Sequence, residues 1–146
     1  MRLTRCAALA FNAMVLAAVM FGAVRADAVE PCSLLSPDKV AAVLGVPEVK
    51  TPGGQNRCVW TPKKYAPGAK SVTLQLMDEK GFAAQRARLD VTPVSGIGDG
   101  AVQSSRIPVL TVKKGGVYFA LSVSGLPVDQ AKAAEQLLAK QVVSKL

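Results

Sequence analysis

Histidine is missing from all 146 residues. That one absence excludes Ser-His-Asp and Cys-His catalysis, histidine metal ligation and histidine pH switching. Aromatic side chains make up only 5% of the chain, with a single tryptophan, too few to interleave with basic residues as a stacking platform for bases. No nucleic-acid partner is expected. Acidic residues are also short, 10 against 18 Lys and Arg, for a net charge of +8. Such a surplus favours anionic partners, although scattered basic residues also serve solubility alone. Cysteine occurs three times, and Cys32 and Cys58 lie too far apart for a redox Cys-x-x-Cys pair. No residue spacing selects a catalytic group, a metal site or a cofactor cradle, so none of the three is expected.

What is present begins with a break in composition near residue 28. Arg2 and Arg5 form a basic start, Ala7 to Val24 carries no charge, and Ala26-Asp27-Ala28 ends the run with small residues. This order predicts a signal peptide over 1–28, cleaved after Ala28 or, as second choice, after Ala26. The alternative is a retained anchor, because the uncharged run approaches the roughly 20 residues that span a bilayer. Cys6 precedes that run and is therefore not the lipid-bearing first residue of a lipoprotein. Loss of Arg2, Arg5, Arg25 and Asp27 lowers the net charge from +8 to +6. Residues 29–146 have the length of one domain, periplasmic or secreted, with no transmembrane segment after cleavage. In an oxidising compartment Cys32 and Cys58 read as a disulfide, worth roughly 3.5 kcal/mol by loop entropy. Two buried free thiols are the alternative.

Punctuation and periodicity then order the domain. Ser36, Pro37, Asp38 and Gly45 bracket a helix over 37–44, with Leu35 and Val40 spaced as a hydrophobic staple. A Pro/Gly-rich connection from Pro47 to Gly54 leads to a strand at Arg57–Thr61, where Cys58 and Trp60 share a face. Ser71–Met77 alternates as a half-buried strand. Glu79–Leu89 predicts a helix turning Phe82 and Leu89 to the core, and Thr92–Gly100 an irregular stretch. Strands follow at about 101–106, 108–113 and 117–124, the last two joined by Lys114-Gly115-Gly116. Val128–Lys145 closes the chain as a helix with a stripe at Ala131, Ala134, Leu138 and Val142. The expected fold class is α+β: a single antiparallel sheet of about five strands with two or three helices packed on one face.

Gly96-Ile97-Gly98-Asp99-Gly100 lacks the strand-before and helix-after context of a dinucleotide loop and predicts a glycine-built turn. Asp78, Glu79, Asp90 and Asp99 show no spacing that selects an acid-base pair. Lys63, Lys64 and Lys70, beside Tyr65, with Lys113 and Lys114 form an anion-binding surface if their two turns lie at the same end of the sheet. Otherwise they solvate turns.

Pro31-Cys32-Ser33-Leu34-Leu35-Ser36, Cys58-Val59-Trp60, Val94-Ser95-Gly96-Ile97-Gly98-Asp99 and Val117 to Ser124 before a terminal amphipathic helix follow one another in order. In this the chain resembles a family of small exported bacterial proteins of unknown function that includes many actinobacterial lipoproteins. The resemblance implies an α+β fold and a Cys32–Cys58 bridge, but no activity or catalytic residue. The chain departs from the lipoprotein members in lacking a lipid-attachment cysteine. The first functional expectation is a non-enzymatic cell-envelope module that binds an anionic component or an exported protein. A carboxylate-dependent enzyme, signalled by Asp99 clustering with Arg106 or Lys113 in a pocket, and an inhibitor of a secreted hydrolase are the alternatives.

Overall fold

The computed structural model describes residues 29–64 and 66–146. The expected signal peptide and Tyr65 lie outside the described residues. Helix α1 (Pro37–Leu44) has Ser36 extended at its N-cap, Pro37 in the first turn and Gly45 closing it at φ 65°, a left-handed conformation that suits glycine. The Ser36 hydroxyl makes no capping bond. At the other end Lys70 Nζ donates to the Leu44 carbonyl at 2.8 Å, a cation at the negative pole of the helix. Leu35 and Val40 are both buried, as a staple requires.

The strands are β1 (Val49–Lys50), β2 (Gly53–Gly54), β3 (Arg57–Pro62), β4 (Ser71–Met77), β5 (Val91–Val94), β6 (Gly100–Ser104), β7 (Val109–Lys114) and β8 (Val117–Ser124). They form one antiparallel sheet in the order β1-β3-β4-β8-β7-β6-β5, with β2 beside β3. The class is α+β on a single sheet, with eight strands where about five are expected. Two of the additions, β1 and β2, are two-residue pairings inside the Pro/Gly connection. The third, β5, falls largely in the stretch expected to be irregular, and Pro93 is the reason. Ser105 N–H donates to the Asp90 carbonyl at 2.7 Å, so by alternation the backbone groups of Val91 and Pro93 face away from β6. Pro93 therefore lies on the free edge, where a missing N–H breaks no ladder bond.

Chain order decides which face each helix covers. Cross-strand pairing puts Cys58, Trp60, Val72, Leu74, Leu110, Val112, Phe119, Leu121 and Val123 on one face. They share a core with Val40 and Leu44 of α1 and with Ala131, Leu138 and Val142 of α3 (Val128–Val143). The Cys32–Cys58 disulfide, Cα–Cα 5.1 Å, ties the segment ahead of α1 into this core next to Trp60. Helix α2 (Glu79–Arg86) has another task, since it leaves central β4 and must cross β8, β7 and β6 to reach edge strand β5. It does so over the opposite face. Phe82 packs against Tyr118 with the rings tilted by 47° and their centroids 5.5 Å apart, and Tyr118 alternates with Phe119 along β8. Phe82 and Val102 are buried but stand apart from the main core. Two helices thus pack on one face and the third on the other. Asp78 caps α2 by accepting the Gly81 N–H at 2.8 Å. Because α2 stops at Arg86, Leu89 is no longer on its face and is exposed, against the expectation that it joins the core.

Candidate functional site

The crossing of α2 over the sheet leaves a cleft of about 680 Å³ between the helix and β5, β6 and β7. Phe82, Val91, Pro93 and Val102 supply apolar wall, and Arg86, Arg88, Lys113 and Asp99 supply charge. Each charged group arrives by its own element. Arg86 stands four residues after Phe82 on α2, one turn along the same helix face, and its guanidinium carbon is 5.9 Å from the Phe82 centroid. Lys113 pairs across to Tyr118, and its Nζ is 5.6 Å from that ring centroid. Two cations therefore flank the Phe82–Tyr118 pair, one cation–π contact on each ring.

The other two charges are already engaged. Arg88 Nε and Nη2 donate to the two Asp90 carboxylate oxygens at 2.9 and 2.8 Å, and this holds the Asp90 carboxyl down at about 2. Asp99 accepts the Gly115 N–H at 2.6 Å and pairs with Lys114 at 3.5 Å. The Gly115 bond, with the lysines beside it, lowers its pKa. Arg86 and Lys113 have no carboxylate within ion-pair distance among the described residues. Both cations thus stand in the cleft without an ion-pair contact, Asp99 lying near Lys113 on its wall.

The glycine segment builds the cleft's end wall. Gly98 has φ 59°, and a Cβ there would collide with the Lys113 carbonyl oxygen, so only glycine fits. That approach lets the Asp99 N–H donate to the Lys113 carbonyl at 2.8 Å while its carboxylate holds the β7–β8 turn. Ile97 plugs the core beneath. The segment is a glycine-built turn, as expected, and it also clasps the β7–β8 hairpin.

The five lysines do not form one surface. Ser71 pairs with Ser124 and Met77 with Tyr118, so Lys63, Lys64 and Lys70 lie at one end of β4 and Lys113 and Lys114 at the other. The separation is about 20 Å along the strand. Lys63 pairs with Glu48 at 2.7 Å, Lys70 caps α1 and Lys114 binds Asp99. Lys64 borders a smaller hollow of about 370 Å³ with Lys63, Glu48 and Pro62. Of the five, Lys113 alone reaches the cleft. Asp99 and Lys113 share it, whereas Arg106 borders a different hollow beside Leu89.

One ionisable group is enclosed in the main core. Glu135 of α3 is fully buried; its carboxylate accepts the Val123 N–H at 3.0 Å and Gln103 Nε2 at 2.7 Å. Burial pushes its pKa up to about 7 against the pull of those bonds. By the β7–β8 register the residue opposite Val123 is Pro108, where β7 has not yet begun, and Glu135 takes the N–H left without a strand partner. It lines none of the clefts described and acts as a buried cap. Its place four residues after Ala131 and three before Leu138, inside the apolar stripe, was a signal in the sequence. Phe82-x-x-x-Arg86 was another.

Among the described residues no group of three Cys, Asp or Glu is placed to hold a metal, and no helix is long and apolar enough to cross a membrane. Comparison with protein-family models, curated proteins and solved structures finds no match.

Proposed function

We propose that the chain is an exported binding module of a bacterial cell envelope whose cleft under α2 takes a phosphate or carboxylate carried on an apolar or aromatic group. The observation that carries this is the pair Arg86 and Lys113, bracketing Phe82 and Tyr118 with no carboxylate of their own. Cations held beside an apolar wall favour an anion that brings its own apolar surface. Export is supported by the Cys32–Cys58 bridge, since disulfides persist in oxidising compartments, together with the signal-like order of residues 1–28. The resemblance to small exported bacterial proteins is consistent with the same reading. A lowered pKa leaves Asp99 without a proton to give as a general acid and makes it a weak general base, its carboxylate being held by the Gly115 N–H and Lys114.

The test is an NMR titration of residues 29–146 with phenyl phosphate and, separately, inorganic phosphate. Phenyl phosphate should shift the amides of Phe82, Arg86, Lys113 and Tyr118 at concentrations where inorganic phosphate does little. Shifts centred on Lys63 and Lys64, or none at all, would refute the proposal.

A further inference from the structure

Among the described residues, three of the five large apolar side chains that stand exposed gather at one end of the sheet: Leu89 at 105% relative accessibility, Ile107 at 51% and Val128 at 46%. The topology brings them together. Leu89 is in the turn entering β5, Ile107 in the turn between β6 and β7, and Val128 begins α3 just past the end of β8. Those three points adjoin because Val91 pairs with Ser104 and Val109 with Ser122. Asp90 then laces the first two turns. Its carbonyl accepts the Ser105 N–H at 2.7 Å and the Ser105 hydroxyl at 3.0 Å, while its carboxylate accepts the Ser104 hydroxyl at 3.1 Å. Ser104 Oγ in turn accepts the Ile107 N–H at 3.4 Å. Leu89 and Ile107 are therefore presented on fixed backbone.

Basic residues outnumber acidic ones around this apolar tip. Arg106 borders one hollow with Leu89 and with Arg88, whose charge is paired by Asp90. Lys132 Nζ reaches the Ser105 carbonyl at 3.2 Å, Lys64 lies in the β3–β4 turn at the same end, and Asp129 follows Val128. Single exposed aliphatic residues are ordinary on a protein surface, but three at one tip inside a basic rim are not. Apolar side chains that enter the headgroup boundary while neighbouring Lys and Arg meet lipid phosphate describe a peripheral membrane contact. We propose that this end of the sheet is a docking tip for an anionic phospholipid surface, with Leu89 and Ile107 as its inserting residues. The charge of the rim chooses the partner: a second copy of the chain would set basic rim against basic rim. Docking in this way stands Arg88, which also borders the cleft under α2, at the membrane side of that cleft.

The test is cosedimentation of oxidised residues 29–146, which contain the whole sheet, its helices and the disulfide, with vesicles of phosphatidylcholine alone or mixed with phosphatidylglycerol. The protein should sediment with the mixed vesicles only and be released by salt. Leu89→Ser with Ile107→Ser should weaken binding by about tenfold or more with Tm unchanged. Leu89→Trp should be quenched by brominated lipid, Trp60 being fully buried and silent. Arg86→Gln with Lys113→Gln, which strikes the cleft and not the tip, should leave vesicle binding intact, so the two proposals fail separately. Absence of vesicle binding, equal binding by the double Ser variant, an unquenched Leu89→Trp, or self-association through the tip in place of lipid binding would each overturn the inference.

Discussion

The two faces of this sheet are built from the same alternating strands and finished in opposite ways. The face under α1 and α3 is one continuous core, stapled by the disulfide, and its single carboxylate is enclosed and hydrogen-bonded. The face under α2 has an eight-residue helix, one tilted aromatic pair and a cleft with cations along its walls. A long helix of 16 residues can bury a stripe along several strands, whereas a short crossover leaves sheet uncovered. Stability belongs to the first face and access to the second.

The sharpest contrast uses one substitution on each face. Phe119→Ala should cost about 3–5 kcal/mol, because Phe119 is fully enclosed in the main core. Phe82→Ala should cost less, about 2 kcal/mol, because fewer neighbours close over α2. Urea unfolding measures both, and equal losses would erase the distinction. Next in size, Cys32→Ser with Cys58→Ser should lose about 2–4 kcal/mol by the same measurement.

Glu135 makes the first face sensitive to pH. A carboxyl raised from 4.5 to about 7 by burial holds its proton more tightly in the fold than in the unfolded chain. Its contribution is therefore complete below about pH 4.5, declines as pH rises to about 7, and amounts to ~3 kcal/mol at most. Asp90 runs the other way: its contribution is present above 3.8 and is lost as pH falls toward about 2. Glu135→Gln should flatten the dependence between pH 5 and 7, and an unchanged slope would assign it to another group. Gln103 Oε1, buried without a partner, is placed to accept from the new amide after a flip. The smallest effect belongs to Leu89→Ser, within about 0.5 kcal/mol of the parent, since the side chain is exposed.

The sequence made the first face legible and the second largely not. Alternation in Ser71–Met77 and Val117–Ser124, the stripe on α3, and the Pro37 start and Gly45 stop of α1 are local patterns, and the structure follows them. Which face α2 covers depends on β4 being central and β5 being at the edge, a fact about strand order with no local signature. The same gap explains the lysines. Residue spacing cannot say which ends of a sheet two turns occupy, and the register of β4 with β8 separates them. Of the cleft's four charged residues only Asp99 and Lys113 stood out in the sequence, and only the crossover brings Arg86 of α2 and Lys113 of β7 to the walls of one cavity.

If the second face is the binding face, position must matter and net charge must not. Calorimetry of phenyl phosphate binding at fixed ionic strength can separate them with two variants that each lose two positive charges. Arg86→Gln with Lys113→Gln should lower affinity about tenfold or more, while Lys63→Gln with Lys64→Gln should match the parent. Equal losses from the two pairs would show that only the overall charge attracts the anion, and would contradict the account.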